Sequence, residues 1–310
     1  RSKIEKFSDV LIEIIKSGGT VALDTSDEIH SYMGLENPIS DVKPTAGTLV
    51  LHSLSLNLPR LARESSRDTS YFRAKLALLI QSTIPALADR RELILESIKK
   101  GLLPTLSRNP AAISTDRIPL TIQLMGLDEA TSTIAGDRLS SKTSICEKII
   151  ETAVKTTSER ARKLNEEAYV AIMPSEGASR ITSLDLDKHG KSAVANNHDY
   201  SQVPVLQFDN ILDENSFQYA ALPFKRLNGG YSISVALPST IKPKDFRQIL
   251  SKASSSSGLF RLGMPFGYCR SCGSKTLAPF TRCSVCRSTA LQNINTWGEP
   301  TRDGLEASIQ

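Results

Sequence analysis

Four of the chain's five cysteines, Cys269, Cys272, Cys283 and Cys286, fall within eighteen residues in the knuckles "YCRSCGSK" and "TRCSVCRS". Each C-x2-C turn brings two thiolates toward one point. Two such turns ten residues apart complete a tetrahedral four-sulfur shell with zinc–sulfur distances of about 2.3 Å. Soft thiolates in this geometry select Zn2+, with a rubredoxin-like iron site as the alternative. A module this short cannot bury a core of its own, so the metal would serve as a structural staple. Arg270, Lys275, Arg282 and Arg287 around the knuckles also suit a zinc-ribbon contact with nucleic acid. The fifth cysteine, Cys146 in "SKTSICEKIIE", lies in a helical pattern and reads as a small buried hydrophobe.

The rest of the chain must supply the frame. With 310 residues it has the length of about two domains, and no apolar run approaches the roughly 20 residues of a membrane helix. Lys and Arg number 38 against 33 Asp and Glu, and this spread-out excess suits phosphates without forming a basic nucleic-acid arm. An aromatic content of 5% argues against base stacking on a nucleic acid. The N-terminal stretch lacks the pattern of a secretory signal, so a cytoplasmic location is expected, where clustered cysteines hold metal rather than form disulfides. The chain starts at Arg1 and enters a helix at once, which leads us to expect a piece of a longer polypeptide.

Hydrophobic spacing gives the element order. Ile4, Phe7, Leu11, Ile14 and Ile15 predict one face of an amphipathic helix. From Thr48 to Leu58, Val50, Leu54, Leu56 and Leu58 alternate with Ser53, Ser55 and Asn57, a strand with an apolar back and a polar front. A long helix follows through Phe72, Leu76, Leu79, Ile80, Leu87, Ile94, Leu95 and Ile98, with a kink expected at Pro85 and a stop at Lys99-Lys100-Gly101. Next come a strand from Ile118, a helix over about Thr143 to Ala168, the strand "YVAIMP", the loop "SEGASR" and a polar loop from Asp185 to Asp199. The run "YSISVALP" reads as a strand and "KPKDFRQILSKA" as a helix. Repeated strand-then-helix order predicts an α/β fold with a mostly parallel sheet or barrel. The serine tract from Ser254 with Gly258 predicts a boundary between residues 1–253 and a small module over 254–310.

Several segments in one order resemble the C-terminal half of the anaerobic ribonucleoside-triphosphate reductases, a glycyl-radical enzyme family. They are "SLSLNLPRLARESSRDTSYFRAKLALL", "KKGLLPTL", "LTIQLMGLDEA", "IIETAV", "MPSEGASR", "YSQVPVL", "LNGGYSISVALP" and "PFGYCRSCGSKTL". The resemblance spans roughly Tyr32 to Ser288. It implies part of a ten-stranded α/β barrel with a polar lumen, followed by the zinc module. It also implies reduction of nucleoside triphosphates to their 2′-deoxy forms, a homodimer across the long helices or pairing with an upstream half or a paralogue, and a radical-generating activase where the chemistry is retained. By the same resemblance Asn57 in "NLPR" lies near the ribose, and Ser175, Glu176, Gly177, Ala178 and Ser179 line the substrate site. On their own residues those five could equally form a plain turn with Glu176 as a helix cap, and Asn57 could satisfy a neighbouring backbone group.

The chain also departs from the family. Gly34, Leu35 and Glu36 stand where the resemblance implies a thiyl-forming cysteine, and no cysteine precedes Cys146. Gly298 lies near the implied glycyl-radical position but is flanked by Trp297 and Glu299, and Gly304 fits it no better. The expectation is a divergent homologue that keeps nucleotide binding more readily than radical chemistry. A zinc-ribbon nucleic-acid binder or regulatory partner protein is the alternative.

Overall fold

Ser53, Ser55 and Asn57 alternate with Leu54 and Leu56, and this period of two folds as the second strand of the chain, β2 (Ser53–Asn57). The computed structural model describes residues 2–19, 21–24, 52–104, 118–136, 142–173, 177–190, 200–203, 205–207, 222–254, 259–277 and 281–295. In it β2 pairs in parallel with β3 (Leu120–Met125), and β3 with β4 (Ala168–Ala171). The register sets Ser53, Ser55 and Asn57 beside Thr121, Gln123 and Met125 on one face, and Leu54 and Leu56 beside Ile122 and Leu124 on the other. The apolar face joins the core of the two longest helices, α3 (Thr69–Lys99) and α5 (Lys142–Lys163), through Phe72, Leu76, Ile80, Ile149 and Ile150. Two shorter helices, α2 (Leu58–Glu64) and α4 (Leu127–Ala135), leave directly from the ends of β2 and β3.

A second sheet has the order β1-β7-β6-β5, built from β1 (Val21–Asp24), β5 (Val205–Gln207), β6 (Ser232–Ala236) and β7 (Leu259–Gly263). Its pairs are parallel except for β1 at the edge. Ile233, Val235, Phe260 and Leu262 share the main core with Phe246, Ile249 and Leu250 of α7 (Pro243–Ser254) and with Ile12 and Ile15 of α1 (Ser2–Lys16). A parallel bridge between Ile172 and Tyr231 links the two sheets. There the Ile172 N–H donates to the Gly230 carbonyl at 3.2 Å and the Ser232 N–H to the Ile172 carbonyl at 2.8 Å. A third, antiparallel sheet, β10-β8-β9, is built from β8 (Pro265–Cys269), β9 (Lys275–Leu277) and β10 (Leu291–Asn295), with Cys269 at the end of β8 and Cys272, Cys283 and Cys286 in the turns between its strands.

The fold is mixed α/β, and among the described residues its strands stand in sheets of four, three and three without closing a barrel. The main sheet takes strands from both sides of residue 254, because β7 returns to pair with β6 and β1. Several local expectations change. In α1 the inward side is Ser8, Ile12 and Ile15, while Phe7 and Ile14 are exposed; packing against α7 selects a face rotated from the apolar stripe. Helix α5 stops at Lys163 because Asn165 takes a left-handed φ of 55° and the Glu166 N–H caps the Ala161 carbonyl, a C-terminal turn that frees Ala168 for β4. Pro85 sits within α3, which continues to Lys99. Leu58 opens α2 rather than closing the strand.

Candidate ligand site and metal centre

In α/β sheets, ligands bind outside the carboxyl ends of parallel strands, and in this molecule those ends carry a buried ionic cluster. Asn57 ends β2 and caps α2, its Oδ1 accepting from the Arg60 N–H at 3.0 Å. Its Nδ2 donates at 2.8 Å to Oδ2 of Asp185, a residue of α6 (Gly177–His189), the helix that follows β4. The same Oδ2 accepts from Arg63 Nη2 at 2.7 Å and from the Tyr200 hydroxyl at 2.8 Å. Oδ1 of Asp185 accepts from Arg60 Nε at 2.7 Å and is also paired with Arg60 Nη2. Arg63 Nη2 donates to the Tyr200 oxygen as well, at 3.0 Å.

The local sequence explains why these groups meet. Pro59 lies in the first turn of α2, where its missing N–H costs nothing. The turn from β3 into α4 packs under it at Gly126, whose φ is +70° and whose Cβ, if present, would stand 2.3 Å from Pro59 Cγ; only glycine fits both demands. The Gly126 N–H donates to the Ser201 carbonyl at 2.8 Å, and Glu129 accepts from the Ser201 N–H at 2.7 Å and from its hydroxyl at 2.5 Å. That clamp fixes neighbouring Tyr200, whose own N–H donates to Thr182 Oγ1 at 2.9 Å. Helix α6 is therefore tied to the Tyr200 segment and to α2 through its buried face.

The Asp185 side chain is 0% exposed. Burial alone would push its carboxyl up, but hydrogen bonds from Asn57, Tyr200 and Arg60, together with the Arg60 charge, hold it below the ordinary carboxylate range. Burial, reinforced by the bond to Asp185, pushes the Tyr200 phenol up to about 12, so the phenol keeps its proton and donates it to the carboxylate.

Of the residues expected at the site, Asn57 is in this cluster. Gly177, Ala178 and Ser179 open helix α6 rather than forming a loop, and Ala178 packs with Met125 and Tyr200. Ser175, Glu176, Leu35 and Gly298 lie outside the described residues. Sequence reading missed Asp185, Arg60, Arg63 and Tyr200. Asp185 falls in an expected polar loop, whereas the structure continues the helix through it. A second polar feature lies on the strands, where the buried hydroxyls of Thr121, Ser232 and Ser234 have no hydrogen-bond partner among the described residues.

The four knuckle cysteines converge. Their sulfurs all lie within 4.8 Å of one another, with Cys269–Cys286 at 3.5 Å and Cys272–Cys283 at 3.6 Å. A tetrahedral ion with bonds of about 2.3 Å separates its sulfurs by about 3.8 Å, so the group could hold one metal ion. The Ser274 hydroxyl at 3.0 Å and the N–H groups of Cys286 and Val285, each at 3.4 Å, point at the Cys283 sulfur. These contacts, with the Ser274 bond the largest influence, hold the Cys283 thiol down to about 5, favouring the thiolate that a metal needs. A backbone bond at Ser288 lowers the Cys286 thiol, but the neighbouring sulfurs of Cys269 and Cys272, with burial and Cys283, outweigh it and push the thiol up to about 12. Lys275, one of the basic residues around the knuckles, donates to the Gly18 carbonyl at 2.9 Å and lies 5.1 Å from the Phe266 ring centre, docking the module on the end of α1. Burial pushes the Cys146 thiol up to about 12, in keeping with a core role on α5.

Among curated proteins none matches this chain. The chain is similar in structure to the Thermotoga maritima anaerobic ribonucleotide reductase in complex with dATP and CTP, at 20% identity and a TM-score of 0.64, over 94% of this chain and 49% of that one. The same enzyme with glycerol in its active site gives 18% identity and a TM-score of 0.67, over 100% of this chain and 53% of that one. A further anaerobic ribonucleotide reductase gives 19% and 0.68, over 98% and 49%. The chain thus spans about half the length of these enzymes, and the likeness is one of fold. The sequence profile described as anaerobic ribonucleoside-triphosphate reductase matches residues 15–297, and on that match the chain belongs to the anaerobic ribonucleoside-triphosphate reductase family.

Proposed function

We propose that this chain is a divergent, nucleotide-binding homologue of the reductases, binding a ribonucleoside triphosphate at the carboxyl ends of β2, β3 and β4 without carrying the radical relay. The observation that bears most weight is the Asn57–Asp185–Arg60 cluster at that edge, within a chain whose profile match covers residues 15–297. The related Thermotoga maritima enzyme was crystallised with dATP and CTP, which supports the ligand class. In this reading Asn57 faces the ribose and residues 175–179 cradle the ligand. The buried hydroxyls of Thr121, Ser232 and Ser234, unpartnered among the described residues, are the polar lining of a barrel interior, to which residues 1–253 contribute part of ten strands. Residues 254–310 hold a structural zinc at Cys269, Cys272, Cys283 and Cys286.

The family reaction replaces the ribose 2′-hydroxyl with hydrogen and needs a sulfur that reversibly loses a hydrogen atom. Leu35 offers only strong aliphatic C–H bonds at the place of that sulfur. Cys146 is a core thiol, and the other four cysteines are committed to metal. Gly298 lacks the neighbours of a radical glycine. The chain acts in the cytoplasm as a homodimer, or paired with an upstream half or an active paralogue.

Anaerobic incubation with a radical-generating activase, S-adenosylmethionine, formate and a ribonucleoside triphosphate tests this reading. The expected result is no glycyl-radical doublet by electron paramagnetic resonance and no deoxynucleotide product. A doublet on Gly298 with product formation would overturn it.

A further inference from the structure

Two guanidiniums share one carboxylate in the Asp185 cluster, which leaves one positive charge in excess at the carboxyl edge of the sheet. The two are not equivalent. Arg63 Nη2 is used twice, for Asp185 and for Tyr200. Arg60 spends Nε and Nη2 on Asp185 and keeps Nη1 without a hydrogen bond among the described residues, in a side chain that is 33% exposed. Its backbone is fixed as well, because the Arg60 N–H is the group that Asn57 caps. A guanidinium gripped along one edge by a buried carboxylate is oriented before any ligand arrives, so little side-chain entropy is lost when its other edge engages an anion. Bidentate and charge-assisted contacts of that kind are the usual arginine mode with phosphate. Asp185, fully buried and saturated by its donors, cannot reach a ligand and acts only through Arg60 and Asn57.

We propose that Arg60 is a phosphate-binding residue and that Asp185 is its positioning residue, making the open edge of this cluster a site for a phosphate-bearing ligand. That the phosphate belongs to a nucleotide rests on the function proposed above; the anion site itself does not. The bland alternative, an ion cluster that only holds α2 against α6, explains the pairing but not a guanidinium nitrogen left without a hydrogen bond among the described residues in a partly exposed side chain.

Arginine-selective labelling of the wild-type, zinc-loaded chain with phenylglyoxal, read by mass spectrometry, tests this without a variant that has to fold. Inorganic tripolyphosphate is the probe, and Arg247 of α7, 52% exposed, is the control. The expected result is that saturating tripolyphosphate slows labelling of Arg60 by roughly tenfold and leaves Arg247 unchanged, with the protection lost at high salt. Equal labelling of Arg60 with and without tripolyphosphate would overturn the site, as would equal protection of Arg247, which would mark nonspecific binding. Repeating the labelling with a ribonucleoside triphosphate separates the two claims. Protection by tripolyphosphate but no tighter protection by the nucleotide would contradict the nucleotide reading and leave the anion site standing. Saturable nucleotide binding with Arg60 unprotected would do the reverse.

Discussion

Stripping the metal from the four-cysteine centre is expected to unfold β8, β9 and β10 while α3 and α5 stay folded. The three strands have five, three and five residues, and isolated strands of that length are marginal in water. Among the described side chains of these three strands and the turns between them, Phe266, Cys269 and Cys283 are the buried ones, little apolar surface to hold them without the metal. Structural zinc in small modules supplies about 10–16 kcal/mol at neutral pH, far more than such packing. Amide hydrogen exchange before and after chelation should show protection lost across the three strands and retained in α3, with one equivalent of zinc released. Cys283→Ser should behave as the chelated protein does, because it removes the sulfur on which Ser274, Val285 and Cys286 converge. Unchanged protection after complete chelation, or iron in place of zinc, would contradict this assignment.

Asp185→Ala should cost about 3–5 kcal/mol, because it leaves two arginines partly buried with their shared charge gone. The loss would be read from the denaturant midpoint, and it is a large share of the roughly 5–15 kcal/mol that holds a folded domain. Asp185→Asn keeps the shape and one acceptor oxygen and should cost less. The two carboxyl states also predict a pH signature. The folded value lies below the ordinary one of about 3.9, so the stability from Asp185 is complete above that pH and is lost as pH falls through the lowered folded value. Wild type should therefore show an acid-dependent loss of stability over this window that is smaller in Asp185→Asn. Equal acid dependence in the two proteins, or a near-neutral Asp185→Ala, would show that the cluster does not join α2 to α6 as described.

The frame of this site was legible because the signals were periodic and local. Alternation in "SLSLN" gave β2, and the three-and-four spacing of Phe72, Leu76 and Ile80 gave α3. Two C-x2-C turns fixed the metal ligands, whose convergence needs nothing beyond their own short loops. Asp185 was hidden for the opposite reason. It sits one turn beyond Ile181 and Thr182 on the inward side of α6, where a charge breaks the apolar pattern, and the polar composition of the following segment made the whole stretch read as loop. Bonds from Asn57, Arg60 and Arg63, all more than 120 residues earlier in the chain, together with the Tyr200 hydroxyl, make a buried carboxylate stable there, and no local pattern encodes contacts at that separation. Likewise α1 has apolar residues around much of its surface, so periodicity named Phe7 and Ile14 beside Ile15, where packing on α7 and β1 chose Ile12 and Ser8 beside Ile15.

Nucleotide binding by this chain is the claim on which the functional account stands, and calorimetric titration of a ribonucleoside triphosphate into the zinc-loaded protein measures it directly. The expected result is saturable binding at one site per chain, weakened by rising salt because phosphate contacts contribute. A flat titration with protein shown to be folded and zinc-loaded would contradict the account.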